Sequence, residues 1–260
     1  MENIFDILKQ TKKNNCGKCG YPTCMAFAAA VHTGAALKSS CPYIEDHGEV
    51  STTEASLKDD PETALVKELR AKVKGLDLKE RAEGLGGQIV ETEKGEAICF
   101  KYLGKDVFIS PETIFFKDGT ELETRDQILL YNYLFFGGKG ELSGEWVGLE
   151  SFPNSISKVV TLKRYTEEKL ARHFAGRTQD FVAGCVAVGG RQVEECQADA
   201  CMEIPVLPKV VIRLNFWDED QDDGFEAEVK ALFDKRALDF LDIESLIFAA
   251  ERLAETIIEE

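Results

Sequence analysis

The sequence predicts an α+β protein made of a small helical, cysteine-bearing module joined to a larger domain with antiparallel strands. Three observations carry this reading. Four of the eight cysteines fall within the first 41 residues, between short helical patterns. A polar, aperiodic stretch rich in Ser, Thr and acids follows at 49–62. Beyond it, groups of strand-like runs mix with groups of helix-like runs, without regular alternation. The predicted organisation is a module over 1–48, a linker over 49–62 and an α+β domain over 63–260. Charge follows the same division. Residues 1–48 hold five lysines and four acids, a net +1, whereas the remaining 26 basic and 43 acidic residues give −17.

Ile4, Ile7 and Leu8 lie at helical spacing in a first short helix. Pro22 is predicted to open a second helix, "PTCMAFAAAVHT", because proline suits the first helical position. Gly34 is its expected stop, and Cys41-Pro42 closes the module. Ala26, Ala28, Ala29 and Ala30 leave room for another backbone to approach. After the linker, "ALVKELRAKVKGLDLKERAEGLGG" predicts one or two helices. "GQIVET", "EAICFKYL" and "KDVFISP" predict short antiparallel strands, with tight turns around Lys94-Gly95 and Gly104-Lys105. "TRDQILLYNYLFFGG" is expected to be helical, with Ile128, Leu129, Tyr131, Leu134 and Phe135 mostly on one side. A helix is expected near 165–175, and "PKVVIRLNFW" has the apolar run of a buried strand. The last helix has the clearest pattern. Ile243, Leu246, Ile247, Ala250, Leu253, Ala254, Ile257 and Ile258 follow its period, and Asp242 is the expected N-cap.

Composition limits the function classes. At 260 residues, 44% hydrophobic and 30% charged, the chain has ample material for a core. A net charge of −16 argues against a nucleic-acid or anionic-membrane surface, both of which require a basic footprint. The N-terminal stretch lacks a signal-type apolar run, and no run approaches the ~20 apolar residues of a membrane-spanning helix. The expectation is a cytoplasmic protein with no membrane span and no nucleic-acid partner.

The cysteines carry the chemistry. Cys16, Cys19, Cys24 and Cys41 have the spacing C-x2-C-x4-C-x16-C. Structural zinc commonly takes two paired knuckles, two ligands from each. Here the grouping is three and one, which suits one [4Fe-4S] cluster with three thiolates from a tight loop and a distant fourth. Gly17 and Gly20 let the backbone wrap close to inorganic sulfide, where N–H groups favour the reduced state. The positive end of the following helix acts in the same direction. With all four ligands supplied by thiolates, no iron is left open to substrate, which points to electron transfer or structure. Zinc and a purely structural or disulfide role stay open as alternatives on spacing alone.

The segment "CGKCGYPTCMAFAAAVHTGAALKSSCPY" resembles the iron–sulfur module of the large subunit of corrinoid iron–sulfur proteins, the gamma type of acetyl-CoA decarbonylase/synthase. The CGxCG start, the aromatic-Pro-Thr-Cys, the "AFA" helix and the closing Cys-Pro-Tyr carry the likeness. A related module occurs in the B subunit of ion-pumping ferredoxin oxidoreductases. The resemblance implies that Cys16, Cys19, Cys24 and Cys41 are the ligands. It also implies anaerobic metabolism, low-potential electrons from a ferredoxin-like donor, a corrinoid-type acceptor, and a corrinoid as a further candidate cofactor. In that family a TIM barrel and a corrinoid-binding domain follow the module. A TIM barrel alone takes about 250 residues, whereas about 200 remain here, and these resemble an uncharacterised domain of anaerobes. The function expected is one-electron transfer, with the second domain holding the acceptor or docking the partner. The alternatives are a binding or regulatory protein whose cluster is structural or redox-sensing, and an enzyme with its active site in the second domain; no catalytic residue is assigned.

Other motifs have blander readings. Cys185 and Cys99 sit in apolar runs and are expected in the core. Cys185, Cys196 and Cys201 fall close enough in sequence for a second metal site or redox pair. "WDEDQDDGFEAE" fails the calcium-loop frame, since Gly224 at position 6 places Lys230 at position 12. "FFGGKGELSG" follows a helix and has Gly140 after Lys139, so it is a turn and not a phosphate loop. Its glycines, beside Phe135 and Phe136, are placed to border a pocket. His32, His47 and His173 show no ligand spacing.

Overall fold

The computed structural model describes residues 4–33, 36–44, 61–220 and 222–260. The chain divides into two compact units, Met1–Lys58 and Asp59–Glu260. The expected stop at Gly34, His47 and most of the expected linker lie outside the described residues. Pro61 and Glu62, expected to end the linker, are the first residues of a helix.

The first unit is a helical pair, α1 (Ile4–Gln10) and α2 (Cys24–Thr33), followed by a 3-10 turn over Lys38–Ser40. Ile7, Phe27 and Ala28 are buried, and Tyr21 stands edge-on to Phe27 at 5.8 Å. The start of α2 differs from the expectation by two residues. Thr23 accepts the Ala26 N–H at 3.0 Å on Oγ1, and is therefore the N-cap. Pro22 lies outside the helix, because the threonine hydroxyl satisfies an orphan donor that proline could not.

The second unit opens with α3 (Pro61–Val73) and α4 (Leu78–Leu85). Asp77 caps α4 by accepting from Lys79 and Glu80. A four-stranded antiparallel meander follows: β1 (Gln88–Thr92), β2 (Gly95–Tyr102), β3 (Lys105–Ile109) and β4 (Ile114–Phe116). The β2–β3 turn is Leu103-Gly104, both left-handed at φ 46° and 78°, the two-residue geometry that matches strand twist. Leu103 holds this conformation with its side chain buried and its N–H donated to Val206 at 3.1 Å.

Helix α5 (Thr124–Phe136) leads to β5 (Trp146–Val147) and then to a long helical stretch. That stretch comprises α6 (Ile156–Leu162), a π-helical turn (Lys163–Glu167) and α7 (Glu168–Phe174). It begins nine residues before the expected helix at 165. Its first turns expose Ile156 and Val160, so no apolar stripe marked them in the sequence. In α5 the buried side holds Leu129, Leu130, Tyr131, Tyr133 and Leu134, while Phe135 is exposed. Helix α8 (Thr178–Ala187) precedes the second sheet, formed by β5, β6 (Arg191–Gln192), β7 (Ala200–Leu207), β8 (Val210–Trp217) and β9 (Glu228–Asp234). Its order is β5-β9-β8-β7-β6, antiparallel throughout. Helix α9 (Ile243–Glu259) closes the chain with Asp242 as N-cap, its carboxylate accepting from Ser245.

One apolar core joins both sheets and the helices of this unit. Where α8 crosses α9, a Cβ on Gly184 would lie 2.9 Å from the Ile257 carbonyl oxygen, so only glycine permits that approach. A polar knot crosses the core. Asp126 of α5 receives the Tyr102 hydroxyl of β2 at 2.7 Å and the Arg252 guanidinium of α9 at 2.7 and 3.0 Å. Burial, and then the neighbouring Asp126 charge, push the Tyr102 pKa well above its ordinary value.

Candidate metal centre

The cysteine loop is shaped by left-handed backbone. Lys13, Asn15, Gly17 and Gly20 have φ of 56°, 50°, 68° and 85°. Glycine adopts this conformation freely and asparagine tolerates it, but lysine does so at a cost. A Gly17 C=O to Gly20 N–H bond of 2.9 Å closes the turn between Cys16 and Cys19.

Cys24 lies against this loop. The nearby backbone N–H of Asn15 is the largest influence on its thiol, ahead of the opposing effect of burial, and the thiol is held below its ordinary pKa, favouring the thiolate that metals bind. The Thr11 hydroxyl and the Lys13 N–H are themselves engaged, with the Leu8 carbonyl at 2.8 Å and with Thr11 Oγ1 at 3.3 Å. Asn15 returns the contact, its Oδ1 accepting the Cys24 N–H at 2.9 Å. The sequence reading missed Asn15. Its signal was an asparagine directly before Cys16, a residue type suited to left-handed backbone.

All four expected ligands are free thiols. Cys24 and Cys41 are buried, Cys19 is half-buried and Cys16 is exposed. Cys41 ends the 3-10 turn, donating its N–H to Lys38 at 3.1 Å. Tyr43 carries two ammonium groups over its ring, Lys12 at 3.9 Å and Lys18 at 5.4 Å. Among the described residues, no three Cys, His, Asp or Glu side chains are grouped as ligands of one metal ion. The segment thus supplies four unpaired sulfurs, three of them on a loop with left-handed residues, and these sulfurs are not gathered at one point. The donor chemistry fits a thiolate-bound cluster, because unpaired thiols attract no further sulfur until metal joins them.

The remaining cysteines divide. Cys185 is buried in α8, and burial pushes its thiol pKa up. Cys99, expected in the core, lies half-exposed on the outer face of β2, opposite Phe108. The strand alternates there, so its neighbours Ile98 and Phe100 take the core. Cys196 and Cys201 are joined as a disulfide; Cys185 takes no part, which removes the three-cysteine metal reading. His173 packs edge-on against Phe174.

The acidic stretch has structural duties. Asp218 accepts from the Gly176 N–H and the Thr178 hydroxyl. The glycines after α5 do border a cleft of about 380 Å³, beside Arg81. Arg81 and Arg236 spend their guanidinium groups there on the carbonyls of Phe136, Lys139 and Glu141.

Comparison with known proteins separates the chain in the same way. Residues 77–256 match the family model described as "Domain of unknown function (DUF3786)". The chain belongs to this DUF3786 family. Ahead of the DUF3786 domain, residues 13–43 match a second model, "Putative Fe-S cluster". The N-terminal stretch is 54% identical over 42 residues to the corrinoid/iron-sulfur protein large subunit of Moorella thermoacetica. It is 45% identical over 42 residues to the acetyl-CoA decarbonylase/synthase complex subunit gamma of Methanocaldococcus jannaschii. Each match covers 16% of this chain and 9% of the relative. The likeness supports an iron–sulfur cofactor. No solved structure matches the chain. No helix among the described residues is long and apolar enough to cross a membrane.

Proposed function

We propose that the N-terminal unit holds one [4Fe-4S] cluster on Cys16, Cys19, Cys24 and Cys41 and that the protein serves one-electron transfer in anaerobic metabolism. The observation that carries this reading is a set of four unpaired thiols, with Cys24 tied to the left-handed Asn15, on a segment similar to corrinoid/iron–sulfur subunits. When bound, such a cluster supplies a low-potential one-electron couple.

The chain's own residues then have definite tasks. Asn15 accepts the Cys24 N–H on its side chain, and its own N–H beside the sulfur favours the thiolate. Gly17 and Gly20 adopt the left-handed backbone that the loop requires. Lys12 and Lys18, ranged over Tyr43, set positive charge beside a site of net negative charge. Metal binding and loop closure are coupled, so the gathering of the four sulfurs is part of cluster binding. The donor proposed is a ferredoxin-like protein and the acceptor a corrinoid-type protein. The DUF3786 domain holds or docks that acceptor, so a corrinoid is the cofactor to look for on it. The compartment proposed is the cytoplasm, with a module over 1–48 joined by a linker from residue 49 to a domain whose first helix begins at Pro61.

The test is oxygen-free isolation followed by iron and acid-labile sulfide analysis, a visible spectrum and stepwise reduction. Expected are four irons and four sulfides per chain and a reversible one-electron signal. One zinc without labile sulfide would overturn the proposal. A cluster that never cycles, but whose loss unfolds the first unit, would transfer the site to a structural role.

A further inference from the structure

The DUF3786 domain carries a redox-capable group that the cluster does not involve. Cys196 and Cys201 are joined across a loop of four residues, with Cα atoms 5.8 Å apart. The two sulfurs are unequal. Cys201 lies in β7 and is 1% exposed, whereas Cys196 is half-exposed on a loop whose Glu194, Glu195, Gln197 and Asp199 are all exposed. The Ala198 N–H points at the Cys196 sulfur, at 3.4 Å. A thiolate released there would meet a ready donor.

Little about this bond suits a structural staple. It closes a short ring, so it removes little freedom from the unfolded chain. The strands it links are already paired: Val193 donates to the Cys201 carbonyl at 2.9 Å, and Arg191 lies opposite Glu203. The loop is held independently by Arg213 on the Glu195 carbonyl and by the Asp218 N–H on Asp199. The domain also has a large apolar core of its own. Exposed disulfides that contribute little stability are the reducible ones.

We propose that Cys196 and Cys201 form a reversible two-electron thiol–disulfide centre, with Cys196 as the sulfur that exchanges with a protein dithiol of the thioredoxin class. In the reducing direction, a partner thiolate attacks Cys196 Sγ, the intramolecular S–S bond breaks, and Cys201 leaves as thiolate and takes up a proton. The partner's second thiolate then attacks its own sulfur in the mixed disulfide and expels Cys196. Two electrons and two protons pass to the pair, and the partner leaves as a disulfide. In the other direction Cys196 attacks a partner disulfide and Cys201 resolves the adduct. Burial of Cys201 forces this order, because no partner sulfur can reach it first.

The test uses the full chain with its cluster, kept free of oxygen. The protein is equilibrated with reduced and oxidised thioredoxin at graded ratios, quenched in acid and alkylated, and the 191–213 peptide is weighed. Both thiols are expected to emerge together while the domain stays folded, and to pair again as the ratio is reversed. A bond that stays closed under excess reduced thioredoxin until denaturant is added would overturn the proposal; so would two thiols that never pair. Single variants test the order of attack. With glutathione disulfide, Cys201→Ser is expected to take up one glutathione at Cys196, and Cys196→Ser is expected to label at least tenfold more slowly at Cys201. Equal uptake would refute the assigned roles, and the wild-type titration decides the question even if a variant fails to fold.

Discussion

Replacing Asp126 with alanine tests the buried knot that ties β2, α5 and α9 together. The side chain is 5% exposed and its two oxygens accept three hydrogen bonds, two of them from one guanidinium. Its removal leaves the Arg252 guanidinium and the Tyr102 hydroxyl facing a low-dielectric space. Breaking a buried pair from one side costs about 3–5 kcal/mol. Arg252 retains Glu255 at 2.8 Å and Glu123 at 3.7 Å, which places the loss near the lower end, about 3 kcal/mol. For a domain of this size that lowers Tm by roughly 6–12 °C. Both tryptophans, Trp146 and Trp217, lie in the second unit, so their fluorescence during urea or thermal unfolding reports on that unit alone. Arg252→Met should also destabilise, whereas the double variant should lose less than the sum of the two. A loss under about 1 kcal/mol, or strict additivity of the pair, would refute the argument.

Four further outcomes are expected. Asn15→Ala loses the bond to the Cys24 N–H and the tolerance for left-handed backbone, together about 2 kcal/mol; iron release to a chelator should quicken by tenfold or more, with Asn15→Gly intermediate. Burial raises the folded pKa of Cys185, Tyr102 and Tyr133 above their unfolded values, so their stabilisation is complete below pH 9 and declines as pH rises further. The slope should reach about 1.4 kcal/mol per pH unit for each group titrating; stability measured by urea midpoints that stays flat from pH 8 to 11 would exclude this. Burial acts to raise the Asp234 pKa, but the N–H groups of Arg236, Ser143 and Gly144 outweigh it and hold the carboxyl below its usual range. Its contribution is therefore present at neutral pH and lost in acid, and Asp234→Ala should cost about 1–3 kcal/mol at pH 7 and less at pH 3, by urea unfolding. Gly184→Val should force α8 off α9 and cost about 1–3 kcal/mol, visible as a lower Tm.

Much of this protein is decided within a few residues, and that part was legible in the sequence. The α9 stripe, its Asp242 cap and the first strands follow from periodicity and backbone preference, which local atoms enforce, although the β2–β3 turn falls on Leu103-Gly104, one residue before the expected Gly104-Lys105. The C-x2-C-x4-C-x16-C spacing likewise named a set of candidate ligands before any fold was known. Other features were not legible there. Pro22 and Thr23 competed for the start of α2, and a hydroxyl placed three residues before Ala26 prevailed. The early turns of α6 lacked a stripe because they face water, and Cys99 was displaced from the core by strand alternation. Asp126 and Arg252 stand 126 positions apart, and nothing local to either announces the other. The choice of Cys201 as partner of Cys196 also rests on pairing, since β6 and β7 bring the two together, while Cys185, 11 positions before Cys196, is buried in α8. Local chemistry thus determined the elements and the cysteine set. Tertiary packing decided which polar and sulfur groups meet, because those encounters depend on which faces the core buries.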